Sequence, residues 1–175
     1  SYIAATEEFT GAGQPIGAWS AGGNLNTSRE NIAGSGIYTA ALGFGGYAPS
    51  ASGPVGNTEQ YNGSSWTEVA DLTTARASMG SAINAPYTAT LGFGGISPPG
   101  ANYRNLTETW DGSSWTETTD MSQGRNQMQM GGAGTQTAGI VYGGEVPSAG
   151  IATEEWNQNL AVGAWATSGS MNTAR

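Results

Sequence analysis

From Tyr87 to Gly95 the chain reads YTATLGFGG, with Ala89, Leu91 and Phe93 on one side and small or polar residues between them. Period-two alternation over so short a run predicts a β-strand. The stretch TEQY (58–61), followed by Asn62-Gly63 and SSWTEV, predicts a hairpin, because Asn-Gly readily takes the positive backbone angles of a type I′ turn. RASMGSAI (76–83) adds another short segment of strand character. Nowhere does a helical period persist between capped ends. The pattern predicts an all-β chain.

The same alternation returns along the chain. GFGG stands at 43–46 and 92–95 and VYGG at 141–144, so Phe44, Phe93 and Tyr142 fall at even intervals of 49 residues. Thr-Glu pairs recur with Glu7, Glu59, Glu108 and Glu154, each followed by an aromatic: Phe9, Tyr61, Trp110 and Trp156. A second column is pure tryptophan (Trp19, Trp66, Trp115, Trp165), and every unit ends on arginine (Arg29, Arg76, Arg125, Arg175). With the strands of a unit labelled a to d, each unit holds four short strands. Four strands in about 50 residues is the arithmetic of a β-propeller blade.

In these columns the chain resembles the kelch family: an arginine before strand a, Gly-Gly ending strand b, an aromatic ending strand c and a tryptophan in strand d. The wording NGSSWTEVADLTTAR (62–76) and AGTQTAGIVYGG (133–144) is similar to the kelch-type repeats of tailed-phage virion proteins. The resemblance implies a kelch-like propeller segment used as a structural or binding module. The expected division is a c–d half blade at 1–28 and full blades at 29–76, 77–125 and 126–175, all in one propeller domain. Propellers close with roughly 4–8 blades, so these units are expected to be a window of a longer chain.

Composition narrows the chemistry. The chain has no His, Cys or Lys, and 13 acids against 5 arginines give a net charge of −8. A Ser-His-Asp triad, a Cys-His pair, a Schiff base and a Walker-type loop are therefore excluded. An acidic surface repels phosphate backbones, so nucleic acid is not an expected partner. No apolar run reaches the ~18 residues of a membrane-spanning helix, and membrane insertion is not expected.

Repeated residues are expected to build the fold. A Trp in every unit fits packing between blades, and paired Glu and Arg columns fit charge-assisted hydrogen bonds joining neighbouring blades. The doublets Glu7-Glu8 and Glu154-Glu155 fail as glycosidase pairs, since adjacent residues on a strand point to opposite faces. No catalytic residue, cofactor or metal site is expected. The copies diverge in the b–c connections, 47–57, 96–106 and 145–152, which are rich in Pro, Ser, Gly, Asn and Tyr. Partner recognition is therefore expected on that rim, at Tyr47, Pro49, Pro98, Asn102, Tyr103, Arg104, Glu145 and Pro147. The expected function is a non-enzymatic component of a virion or other extracellular particle, a capsid decoration, tail or fibre protein contacting its own or other subunits. The alternative is a carbohydrate-binding adhesin module that takes surface glycans on the b–c rim.

Overall fold

Turn residues interrupt the chain wherever its alternation breaks, and the strands of the computed structural model fall between those breaks. It describes residues 6–10, 18–99, 102–127, 132–145, 151–158 and 164–169. β1 (Glu7–Thr10) and β2 (Ala18–Ala21) form an antiparallel pair. β3 (Ala33–Ile37) and β4 (Ala40–Phe44) follow, then a small ribbon of β5 (Tyr47–Ala48) and β6 (Gly53–Pro54), then β7 (Thr58–Tyr61) and β8 (Trp66–Val69). The next unit holds β9 (Gly80–Ser81), β10 (Thr90–Phe93), a ribbon of β11 (Ile96–Ser97) and β12 (Asn102–Tyr103), β13 (Thr107–Trp110) and β14 (Trp115–Thr118). The last has β15 (Gly132–Gly134), β16 (Ala138–Tyr142), β17 (Thr153–Asn157) and β18 (Ala164–Thr167).

Three antiparallel four-stranded sheets result, ordered β3-β4-β7-β8, β9-β10-β13-β14 and β15-β16-β17-β18. Each resembles a propeller blade. β9 lies beside both β3 and β15, so the a strands of successive sheets are neighbours, and Ser81 Oγ donates to the Gly34 carbonyl at 2.7 Å.

The apolar core lies between sheets. Leu42, Phe44, Leu72, Met79, Trp110 and Trp115 fill one gap, and Leu91, Phe93, Met121, Val141 and Trp156 fill the next. The tryptophan column supplies much of this contact. Trp115 packs 4.7 Å from Phe44 of the preceding sheet, and Trp165 packs 5.2 Å from Phe93. Three of these rings also donate their Nε1–H to a threonine at the start of strand c of the preceding sheet or strand pair. Trp66 reaches Thr6 Oγ1 (3.2 Å), Trp115 reaches Thr58 Oγ1 (3.0 Å) and Trp165 reaches Thr107 Oγ1 (3.0 Å).

A polar joint repeats beside this packing. Arg76 is buried, with Nη1 on the carbonyls of Gly94 (2.8 Å) and Leu106 (2.9 Å) and Nη2 on Glu108 Oε1 (2.6 Å). Its backbone belongs to the preceding sheet, where Gly46 N–H donates to the Arg76 carbonyl at 2.9 Å and Arg76 N–H donates to Val55. One residue thus joins two sheets. Arg125 repeats the arrangement, with its side chain on Gly143, Ala152 and Glu154 and its carbonyl bonded by Gly95 N–H. Arg29 places its side chain on Gly45, Asn57 and Glu59. Each glutamate spends its second oxygen on a backbone N–H three residues before the arginine: Asn26, Thr73 and Ser122. Burial pushes the Arg76 guanidinium down from its ordinary value, against the attraction of Glu108.

The Gly-Gly column makes this joint possible. Gly45 and Gly46 have φ of 64° and 109°, and a Cβ on Gly45 would stand 2.5 Å from the Arg76 carbonyl oxygen. Only glycine takes these angles without strain while admitting another backbone so closely.

The c–d turns differ from the type I′ expectation. Gly63 and Gly112 have positive φ, but Asn62 and Asp111 do not. Instead, Asn62 Oδ1 accepts from Ser64 N–H and Ser65 N–H, both at 3.0 Å, and Asp111 Oδ1 accepts from Ser113 N–H and Ser114 N–H, both at 2.8 Å. Side-chain capping of a four-residue turn replaces the two-residue turn.

Two outcomes are expected. Glu108→Gln, which leaves the Arg76 charge buried without its counter-ion, should lower unfolding free energy by about 3–5 kcal/mol in urea titrations. The hydrogen bonds from Ser114 and Ser113 lower the Asp111 pKa to about 2. A depressed carboxylate contributes stability above its unfolded pKa and loses it as pH falls through the folded one. Between roughly pH 4 and pH 2 the wild type should therefore lose stability that Asp111→Asn, whose side chain matches Asn62, does not.

Candidate functional site

The b–c rim is held largely by its own hydrogen bonds. Arg104 turns back onto its loop, with Nε on Ser97 Oγ and Nη2 on the Pro98 carbonyl at 3.3 Å. Asn102 Nδ2 donates to the Pro99 carbonyl at 2.6 Å. Tyr47 exchanges backbone hydrogen bonds with Glu30, and Pro49 opens a 3-10 turn over Pro49–Ala51. Tyr103 and Glu145 come together across two units, and Gln127 Nε2 also donates to Glu145 Oε2 at 2.8 Å. Partial burial, together with the hydrogen bond and charge of Glu145, pushes the Tyr103 phenol up from its ordinary value. Pro147 and Arg175 lie outside the described residues. Glu7 and Trp19, by contrast, are exposed, unlike the buried Glu59, Glu108 and Glu154 and the buried Trp115.

An open groove lies on the opposite face, where a–b turns of adjacent sheets meet. The pairing Ile37↔Ala40 leaves Tyr38-Thr39 as a two-residue turn at the end of β3 and β4. The neighbouring a–b connection is longer. It folds through Ala85 N–H on the Ala82 carbonyl and Ala89 N–H on the Pro86 carbonyl, and Asn84 N–H bonds Gly134 of the third unit. Between the two lies a groove of about 540 Å³ bordered by Ile37, Ala40, Ile83, Asn84, Pro86 and Tyr87. Ile37 is 65% exposed, the adjacent Tyr38 63% and Ile83 49%. Half of the six large exposed hydrophobic residues among those described thus stand at this one place.

Among the described residues no charged side chain lines the groove. Its lining includes two polar residues, Asn84 and Tyr87, set against an apolar wall. Pockets of roughly 300–1,000 Å³ with apolar walls and a few polar groups are the ordinary form of small-molecule sites. Sequence reasoning missed this face. The available signal was the apolar wording of the turns, GIYTAA (36–41) and AINAPY (82–87), where polar turn residues would be ordinary. Among the described residues no group of three or more acidic side chains comes together as a metal site.

No family model matches the chain, and no curated protein does. Among solved structures it is similar to the structure of YjhT, with a TM-score of 0.77 at 12% identity, over 97% of this chain and 60% of that one. The shared property is the fold. The chain spans 60% of the length of YjhT.

This finding corrects three expectations. The likeness to kelch-type phage virion proteins is not upheld: the solved structure matched is that of YjhT, and the likeness is one of fold. The virion role falls with it. The exclusion of enzymatic activity is also withdrawn. The physical reasons are plain. The repeated columns encode joints between sheets, which propellers of unlike function share, so they do not identify a family. Absence of His, Cys and Lys removes particular mechanisms but leaves carboxylates, tyrosines and arginine available for others.

If Glu145 holds the Tyr103 proton, Glu145→Gln should return the phenol toward its ordinary value. A downward shift of the Tyr103 titration midpoint, followed by NMR of the ring, is the expected result.

Proposed function

We propose that this chain is part of a carbohydrate-directed propeller whose groove between the first two four-stranded sheets seats an uncharged sugar. The observation that carries the reading is the cluster of Ile37, Tyr38, Ile83 and Tyr87 around an uncharged groove. Tyrosine offers an apolar face for the C–H side of a sugar ring and a hydroxyl for its polar edge. The likeness to YjhT, which covers 97% of this chain, is compatible with the carbohydrate-binding alternative rather than with a virion role. An anionic sugar would call for a cation, and among the described residues Arg29, Arg76 and Arg125 are already committed to buried glutamates, while Arg104 is held on the other face. A neutral glycan fits this charge balance.

The same reading takes the sheets as consecutive blades of a ring. Three and a half units matching 60% of YjhT scale to about six for that whole structure, within the usual 4–8.

A glycan array followed by calorimetric titration tests the function. Binding of neutral glycans is expected, weakened about tenfold or more by Tyr87→Ala or Ile83→Asn, which corresponds to about 1.4 kcal/mol or more. Arg104→Ala, on the opposite face, should leave it unchanged. Absence of any glycan signal, or binding that survives both groove substitutions, overturns the reading. Following bound sugars by NMR for turnover then separates a binding groove from a catalytic one.

A further inference from the structure

Two c–d turns of the chain differ by a single residue. NGSSW (62–66) and DGSSW (111–115) share everything but the first position. Asn62 Oδ1 accepts from Ser64 N–H and Ser65 N–H at 3.0 Å and from the Ser64 hydroxyl at 2.9 Å. Asp111 Oδ1 accepts from Ser113 N–H, Ser114 N–H and the Ser113 hydroxyl, each at 2.8 Å. Gly63 and Gly112 have φ of 93° and 97°, and a Cβ on either would stand 3.2 Å from the carbonyl oxygen of Thr39 or Thr88. Asn62 is exposed, and no other asparagine of the chain precedes a glycine.

We infer that Asn62 is a site of spontaneous deamidation, and that the fold accepts its aspartate product in the form that Asp111 already shows. The Gly63 backbone nitrogen, after losing its proton to hydroxide, attacks Asn62 Cγ. The new N–Cγ bond replaces the Cγ–Nδ2 bond, and Nδ2 takes a proton from water and leaves as ammonia. Water then opens the five-membered imide. Cleavage at Cγ gives aspartate, and cleavage at the main-chain carbon gives isoaspartate. Three features favour the step. Gly63 has no side chain beside the attacking nitrogen, and the hydrogen bonds of the turn are made by Asn62, Ser64 and Ser65 N–H rather than by Gly63. The donors on Asn62 Oδ1 stand where negative charge develops as Cγ becomes tetrahedral. The carboxamide also lies at the surface, whereas Asn26 Nδ2 is held by Glu59 Oε2 at 2.8 Å and Asn105 Nδ2 by the Met121 carbonyl at 3.2 Å. Aspartate keeps the acceptor oxygen and strengthens its bonds by charge. Isoaspartate instead lengthens the backbone by one carbon inside a turn closed by Tyr61↔Trp66 and removes the side chain that caps it. The inference is independent of the sugar groove.

The test incubates the whole 175-residue chain in mildly alkaline buffer and locates the exchange of NH2 for OH by peptide mass spectrometry. Asn62 is expected to convert about tenfold or more faster than any other asparagine of the chain, a factor equal to about 1.4 kcal/mol in the barrier. The rate should fall in mildly acidic buffer, since the attacking nitrogen must lose a proton. The folded chain should give a larger share of aspartate over isoaspartate than the peptide TEQYNGSSWTEV (58–69), which has no sheet to hold the turn. Asp111→Asn puts the same pair of residues into the matching turn, and that position should then convert at a rate comparable to that of Asn62. Asn62→Asp should keep the Tm of the wild type at neutral pH, and the carboxylate so introduced should titrate below the usual range, as Asp111 does. Conversion of Asn62 no faster than that of the other asparagines, a product ratio equal to the peptide's, or a lowered Tm in Asn62→Asp would each overturn the inference.

Discussion

The buried arginine–glutamate joint is the constraint on which the rest of this structure depends. Taking both charges out of water is unfavourable by several kcal/mol per ion, and the attraction offsets this only when every remaining donor and acceptor is placed. Here Arg76 meets Glu108 and two carbonyls, and Glu108 also holds the backbone at Thr73. That set of partners fixes where the chain leaves one sheet and enters the next. The Gly-Gly pair is a consequence, since the arginine backbone must approach within contact of it. So is the short path from Arg76 to β9.

Packing then adds the apolar half of the interface. Phe44 and Trp115 close one gap, Phe93 and Trp165 the next, and each tryptophan N–H ends on a threonine hydroxyl. For Trp115 both ends of the side chain are thus accounted for: the ring is buried and its N–H is bonded. Because the joint and the packing act between adjacent sheets, each sheet needs a neighbour on both sides. Among the repeated columns, Trp19 and Glu7 of the first strand pair are exposed, whereas Trp115, Glu59, Glu108 and Glu154 are buried.

A strongly patterned interface leaves the loops at both rims free to vary, but they vary in different ways. The b–c connections use their polar residues on themselves, as Arg104 and Asn102 do, and so become small folded ribbons. The a–b turns keep apolar residues outward. The groove arises because two such turns from adjacent sheets come together, with neither turn forming it alone.

The sequence by itself determined the repeat, the four strands per unit and the residues of the joint, because each depends on local alternation or on a column that recurs every 49 residues or so. The identity of the turns was only half legible: Asn62 and Asp111 marked their places, but whether backbone angles or side-chain caps closed them depended on the strand pairing around them. Tertiary structure alone decided which rim is open. Ile37 and Ile83 are 46 positions apart with no shared motif, and only the stacking of two sheets brings them to one groove. The same stacking decided that Glu7 is exposed while Glu59 is not, since burial of a charge depends on the sheet beside it and not on the Thr-Glu wording that the two positions share.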